Sequence, residues 1–67
     1  MKMIKELRKH KGLTQQELAD LCGLHILTIQ KLESGAISPY DAKYGTLVKI
    51  ASALKVSVDD LLSEEDL

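Results

Sequence analysis

The sequence predicts an all-α chain, a bundle of five helices with no strand. Three observations point there. Apolar residues recur at spacings of three and four through much of the chain. Two capping-box patterns, Thr14-x-x-Glu17 and Ser57-x-x-Asp60, mark helix starts. The apolar material is mainly Leu, Ile, Val and Ala, with no Phe or Trp and two Tyr, a composition that suits packed helices better than a sheet.

Ile4 and Leu7, followed by Leu13, place a first helix over roughly 2–10. Gly12 ends it after Lys9, His10 and Lys11, cations that favour a helix C-terminus. Thr14 then caps a second helix, whose Leu18, Ala19 and Cys22 share one face and whose stop is Gly23. The third helix covers about 25–34, with Ile29 and Leu32 turned inward and Gly35 closing it. Residues 36–43 form a loop in which Ser38, Pro39 and Asp41 suit a single capped turn. Tyr44, Leu47, Val48, Ala51 and Leu54 lay one apolar stripe along a fourth helix. Ser57 opens a short fifth with Val58, Leu61 and Leu62. There is no repeat, low-complexity segment or internal linker.

Sixty-seven residues, 1–67, make one small domain, and a chain of this size buries only about 60% of its unfolded surface. Cys22 is the only cysteine, so no internal disulfide is expected. With no long apolar run for a signal peptide or membrane span, the expectation is a cytoplasmic protein without a membrane partner. The net charge of −1 is unevenly spread. Residues 1–56 carry all nine Lys and Arg against five acids, a balance of +4, whereas 57–67 carry five acids and no base. A basic body with an acidic tail at about 63–67 suits a polyanionic partner that meets the body. A solvated surface whose tail aids solubility accounts for the same charges.

A capped short helix, a turn with Gly and a second short helix make a helix-turn-helix, whose second member can lie in the DNA major groove. Ala19 permits close approach of the two helices, Gly23 makes the turn, and Ile29 with Leu32 pins the second helix so that its other face is presented.

These residues resemble the Cro and phage-repressor type of helix-turn-helix proteins, often called XRE-like. The resemblance rests on LTQQELADLCGL, with Thr14, Gln15, Glu17, Leu18, Ala19 and Gly23, then on Ile29, on LESG at 32–35 and on LVKIASALKVSVDDLL, and it spans about residues 4–62. It implies a compact five-helix lambda-repressor-like bundle. Thr14 and Gln15 match positions that touch the phosphate backbone, with Gln16 beside them, and bare amides at that helix start assist in holding a phosphate. His25 stands where the family usually has a capping Ser or Thr. Ile26, Leu27, Thr28 and Lys31 match positions facing the groove. Arg8 and Glu33 match a pair that in some members forms a partly buried salt bridge; two unrelated surface charges are the alternative. The recognition helix is poorer in polar groups than the family pattern, and the loop after Gly35 is longer. Among the loop and following residues Tyr40, Lys43 and Thr46, Lys43 is the candidate for a backbone contact, against a solvated loop lysine.

Ile26 and Leu27 are unusual on a reading helix, and three explanations stand. Apolar groups contact the thymine C5 methyl, alongside Lys31 to guanine and Thr28 to a base or phosphate. They bind a partner protein. Or one turns inward, since Ile26 precedes Ile29 by three residues.

Cys22 and His25 have C-x-x-H spacing, but structural zinc needs four ligands and only His10 remains, so no metal is expected. No carboxylate pair, phosphate-binding glycine loop or triad-like set is present, so neither a cofactor nor enzymatic activity is expected. The expected function is sequence-specific binding of double-stranded DNA by a small transcriptional regulator. Such a protein reads two half-sites as a homodimer, here paired through Leu61, Leu62 and Leu67. The competing expectation is an antitoxin-like or adaptor module that presents Leu21, Ile26 and Leu27 to a protein. A third is an architectural fold without DNA affinity.

Overall fold

A computed structural model describes residues 1–63. It contains α1 (Lys2–His10), α2 (Gln15–Cys22), α3 (Ile26–Ser34), α4 (Tyr44–Leu54) and α5 (Val58–Leu62), and no strand among the described residues. Its dimensions are 28 × 20 × 19 Å.

The caps explain the boundaries. At the start of α2 the Glu17 amide donates to Thr14 Oγ1 at 3.0 Å, and the Thr14 amide donates to Glu17 Oε1 at 2.9 Å. Ser57 and Asp60 repeat the arrangement at α5, at 3.0 and 3.1 Å. Each exchange satisfies two amides that a helix start leaves without backbone acceptors. α2 stops at Gly23, which has φ 67°. There the Gly23 and Leu24 amides donate back to Asp20 and Ala19, closing the helix in a Schellman motif. α4 closes in the same way, with Lys55 and Val56 donating to Ser52 and Ala51, but the left-handed position is a lysine, with φ 59°.

Ile4, Leu18, Ile29, Leu32, Ile50, Leu54 and Leu61 are the largest fully buried side chains. Ala19, Cys22, Leu47 and Ala51 complete the centre. α2 packs against both α3 and α4, while α1 lies across α3, α4 and α5. Burial in this apolar setting pushes the Cys22 thiol pKa up.

Two expectations need correction. The stripe of α4 that faces the core runs through Leu47, Ile50, Ala51 and Leu54, whereas Tyr44 and Val48 are 69% and 42% exposed. A spacing of three and four fits more than one face of a helix this apolar, and contact with α2 and α5 selects the face. Leu61 is fully buried in the monomer's own core, so it cannot lie on a pairing surface. Leu62 is half-buried, and Leu67 lies outside the described residues.

Candidate nucleic-acid interface

α2, the Gly23 turn and α3 form a helix-turn-helix held from beneath by one ion pair. Arg8 Nε donates to Glu33 Oε2 at 2.7 Å and Arg8 Nη2 donates to Glu33 Oε1 at 3.0 Å. Both side chains are almost out of solvent, 9% and 4% exposed. Arg8 Nη1 also donates to the Leu13 carbonyl at 2.8 Å, so one guanidinium joins α1 to the lead-in of α2 and to the end of α3. Burial pushes the Glu33 carboxyl pKa up, but hydrogen bonds from Arg8 and Gln15, with the charges of Arg8 and Lys5, outweigh it and hold it below its ordinary value. The Glu33 hydrogen bond raises Arg8 against the opposing effect of burial.

Ile29 and Leu32 bury one side of α3. Helical periodicity then puts Leu27, Gln30, Lys31 and Ser34 on the opposite side, and all four are exposed. Leu27 is 51% exposed, whereas Ile26 is half-buried and packs against the core. The inward explanation therefore fits Ile26 and leaves Leu27 as the apolar group on the outer face. Thr28 sits on one flank, lining a concavity of about 200 Å³ with Leu32, Ile37, Asp41, Lys43 and Thr46. Lys43 is the exposed N-cap residue of α4, so α3 and the following loop bring Thr28 and Lys43 to one hollow, with Asp41 beside them.

His25 caps α3 with a ring nitrogen. Its Nδ1 accepts from the Leu27 amide at 3.1 Å, the role a Ser or Thr oxygen fills elsewhere; a neutral ring then keeps Nε2–H as an outward donor. Thr14 and Gln15 stand at the start of α2, where the Gln15 and Gln16 amides have no acceptor within the helix. Gln16 Nε2 donates to Asp20 Oδ1 at 2.9 Å. Gln15 Nε2 donates to Glu33 Oε1 at 3.1 Å in a partly buried contact.

The acids near this surface are largely engaged internally. Glu33 is matched by Arg8, and Glu17 is drawn onto Thr14. The Thr14 backbone amide first and the Thr14 hydroxyl second hold the Glu17 carboxyl below its ordinary pKa. Both carboxylates stay ionised, and exposed Asp41 shares the hollow with Lys43. Gln30 is the residue sequence reasoning passed over. Its position three after Leu27 and one before Lys31 was the available signal.

The family pattern described as helix-turn-helix matches residues 4–61, nearly the whole bundle. The chain belongs to the XRE-type helix-turn-helix family. Over 62 residues, 92% of this chain, it is 40% identical to YqaE, an uncharacterized HTH-type transcriptional regulator of Bacillus subtilis (strain 168). The chain spans 51% of the length of that relative. No solved structure matches it. In this XRE-type bundle, no described helix is long and apolar enough to cross a membrane.

Proposed function

We propose that the chain binds double-stranded DNA sequence-specifically as part of transcriptional regulation, with α3 in the major groove and the start of α2 against the backbone. One observation carries this reading. α3 is fixed through Ile29, Leu32 and the Arg8–Glu33 pair, while Leu27, Gln30 and Lys31 project from its far side next to the capped start of α2. A rigid helix with mixed polar and apolar groups facing outward is what reading base edges requires. Thr14, Gln16, His25 and Lys43 take the phosphates in this arrangement, with the backbone amide of Gln15 beside them. Leu27, Lys31 and Thr28 face the bases, with Ile26 at the edge. The similarity to YqaE, an HTH-type transcriptional regulator, supports the same reading.

Two copies on half-sites about 34–36 Å apart belong to the proposal, since one domain of this size covers little DNA. Leu62 is the accessible member of the pairing residues considered.

The exposure of Leu21 (62%) and Leu27 (51%) favours a second reading, a surface for a protein partner. Binding to mixed genomic DNA fragments in a salt series separates the two. Phosphate neutralisation makes log affinity fall linearly with log salt, with a slope of about −0.9 per phosphate. Lys43→Ala should reduce the slope by about 1, and Lys31→Ala should relax preference at one base pair by about 1–3 kcal/mol. Absence of salt-dependent binding to any fragment would reject the DNA reading.

A further inference from the structure

Gln30 is exposed on the outer side of α3, yet its amide has a defined partner. Gln30 Nε2 donates to Gln15 Oε1 at 3.4 Å, and Gln15 Nε2 donates to Glu33 Oε1 at 3.1 Å. Arg8 holds both Glu33 oxygens. An ionised carboxylate only accepts hydrogen bonds, so Gln15 has to turn its NH2 toward Glu33. Its carbonyl oxygen is thereby left for a donor, and Gln30 supplies one N–H. Gln30 retains its second N–H and its carbonyl oxygen. That pair of groups complements the N7 acceptor and N6 donor of adenine in the major groove. Leu27, three residues earlier and on the same side, suits the methyl group of the paired thymine.

We propose that Gln30 is a specificity-determining residue for one A·T base pair, and that Gln15, held by the buried Arg8–Glu33 pair, is its positioning residue. The inference rests on the DNA-binding reading above. It adds that the end of the amide each glutamine presents is set from inside the bundle, through the sequence Arg8, Glu33, Gln15, Gln30. The ion pair thus has an effect on the reading surface besides its effect on stability.

The test uses duplexes enriched from a random library by the wild-type chain. Affinities are measured for each enriched duplex, for versions with each A·T pair changed in turn to G·C, and for an unrelated duplex. Gln30→Ala should lower affinity for the enriched duplex by about 5- to 150-fold, abolish discrimination at one A·T pair and leave the unrelated duplex unchanged. Gln15→Ala should remove discrimination at that same base pair, and the double variant should discriminate there no worse than either single one. Gln30→Met, an uncharged side chain of similar length without N–H donors at an exposed position, should behave as Gln30→Ala and does not depend on the stability of the Gln15 variant. The proposal is overturned if both Gln30 variants keep full preference at every A·T pair. It is also overturned if Gln15→Ala acts at a different pair or weakens all duplexes alike. A wild-type chain that binds no duplex in a salt-dependent way overturns the DNA reading itself, an outcome distinct from a binder indifferent to Gln30.

Discussion

Arg8 and Glu33 meet in a two-pronged pair at 2.7 and 3.0 Å beneath the helix-turn-helix, and the third nitrogen of Arg8 closes on Leu13. Removing one partner strands the other charge away from water, at a cost of about 3–5 kcal/mol. At about 0.05–0.15 kcal/mol per residue, a chain this small has total stability of only about 3–10 kcal/mol. Glu33→Ala or Arg8→Ala alone should therefore leave the protein barely folded, as read by far-UV circular dichroism and urea melts. The joint replacement Arg8→Met with Glu33→Leu should cost less than the sum of the single losses.

The same pair sets a pH dependence. Glu33 has a folded pKa below its unfolded value of about 4.3. The folded state then binds fewer protons than the unfolded chain across that interval, so the contribution to stability is complete above the unfolded value and is lost as pH falls toward the folded one. Glu17 has the same sign, from the Thr14 contacts. Urea midpoints measured from pH 7 downward should fall more steeply for wild type than for Glu33→Gln. Parallel curves would mean that Glu33 titrates alike in both states.

The fold was readable because its boundaries are written in local chemistry. Thr14 with Glu17, Ser57 with Asp60, and Gly23 act within one turn of chain, so their geometry follows from neighbours in sequence. What escaped depends on distant partners. Val48 and Ile50 are both apolar and both on α4, and only packing against other helices makes Ile50 core and Val48 surface. Leu61 was misplaced for the same reason, because nothing local shows that α1 closes over α5. At the candidate site, the matched positions of Arg8 and Glu33 indicated the pair. The bonds from Glu33 through Gln15 to Gln30 are side-chain relations between two helices, and no single-helix pattern reports them.

Gly23 and Lys55 occupy equivalent left-handed cap positions, φ 67° and 59°, and their substitutions should have opposite signs. A Cβ at Gly23 would meet nothing within 4 Å, so Gly23→Ala carries chiefly the conformational penalty of about 1–2 kcal/mol. Lys55→Gly relieves that penalty but adds backbone freedom to the unfolded chain, for a net gain of about 0.5–1 kcal/mol. Thermal melts should shift down for the first and up for the second. A loss of stability in Lys55→Gly would show that the lysine stem contributes more than the strained backbone costs.

Ile26 and Leu27 are adjacent in sequence but differ in packing, and truncating each should separate folding from recognition. Ile26 packs against the core, so Ile26→Ala removes partly buried methyl groups and should cost about 1–2 kcal/mol, less than the about 2–5 kcal/mol of a fully buried isoleucine. Leu27 is half exposed, so Leu27→Ala should change stability by about 0.5 kcal/mol or less. Under the DNA reading it should nevertheless weaken preference at a thymine-containing step, leaving the salt slope as in wild type, because a methyl contact neutralises no phosphate. Urea melts and duplex titrations on the same two variants distinguish the outcomes. Unchanged binding of every duplex by Leu27→Ala, together with unchanged stability, would remove Leu27 from the reading face and shift the apolar surface toward a protein partner.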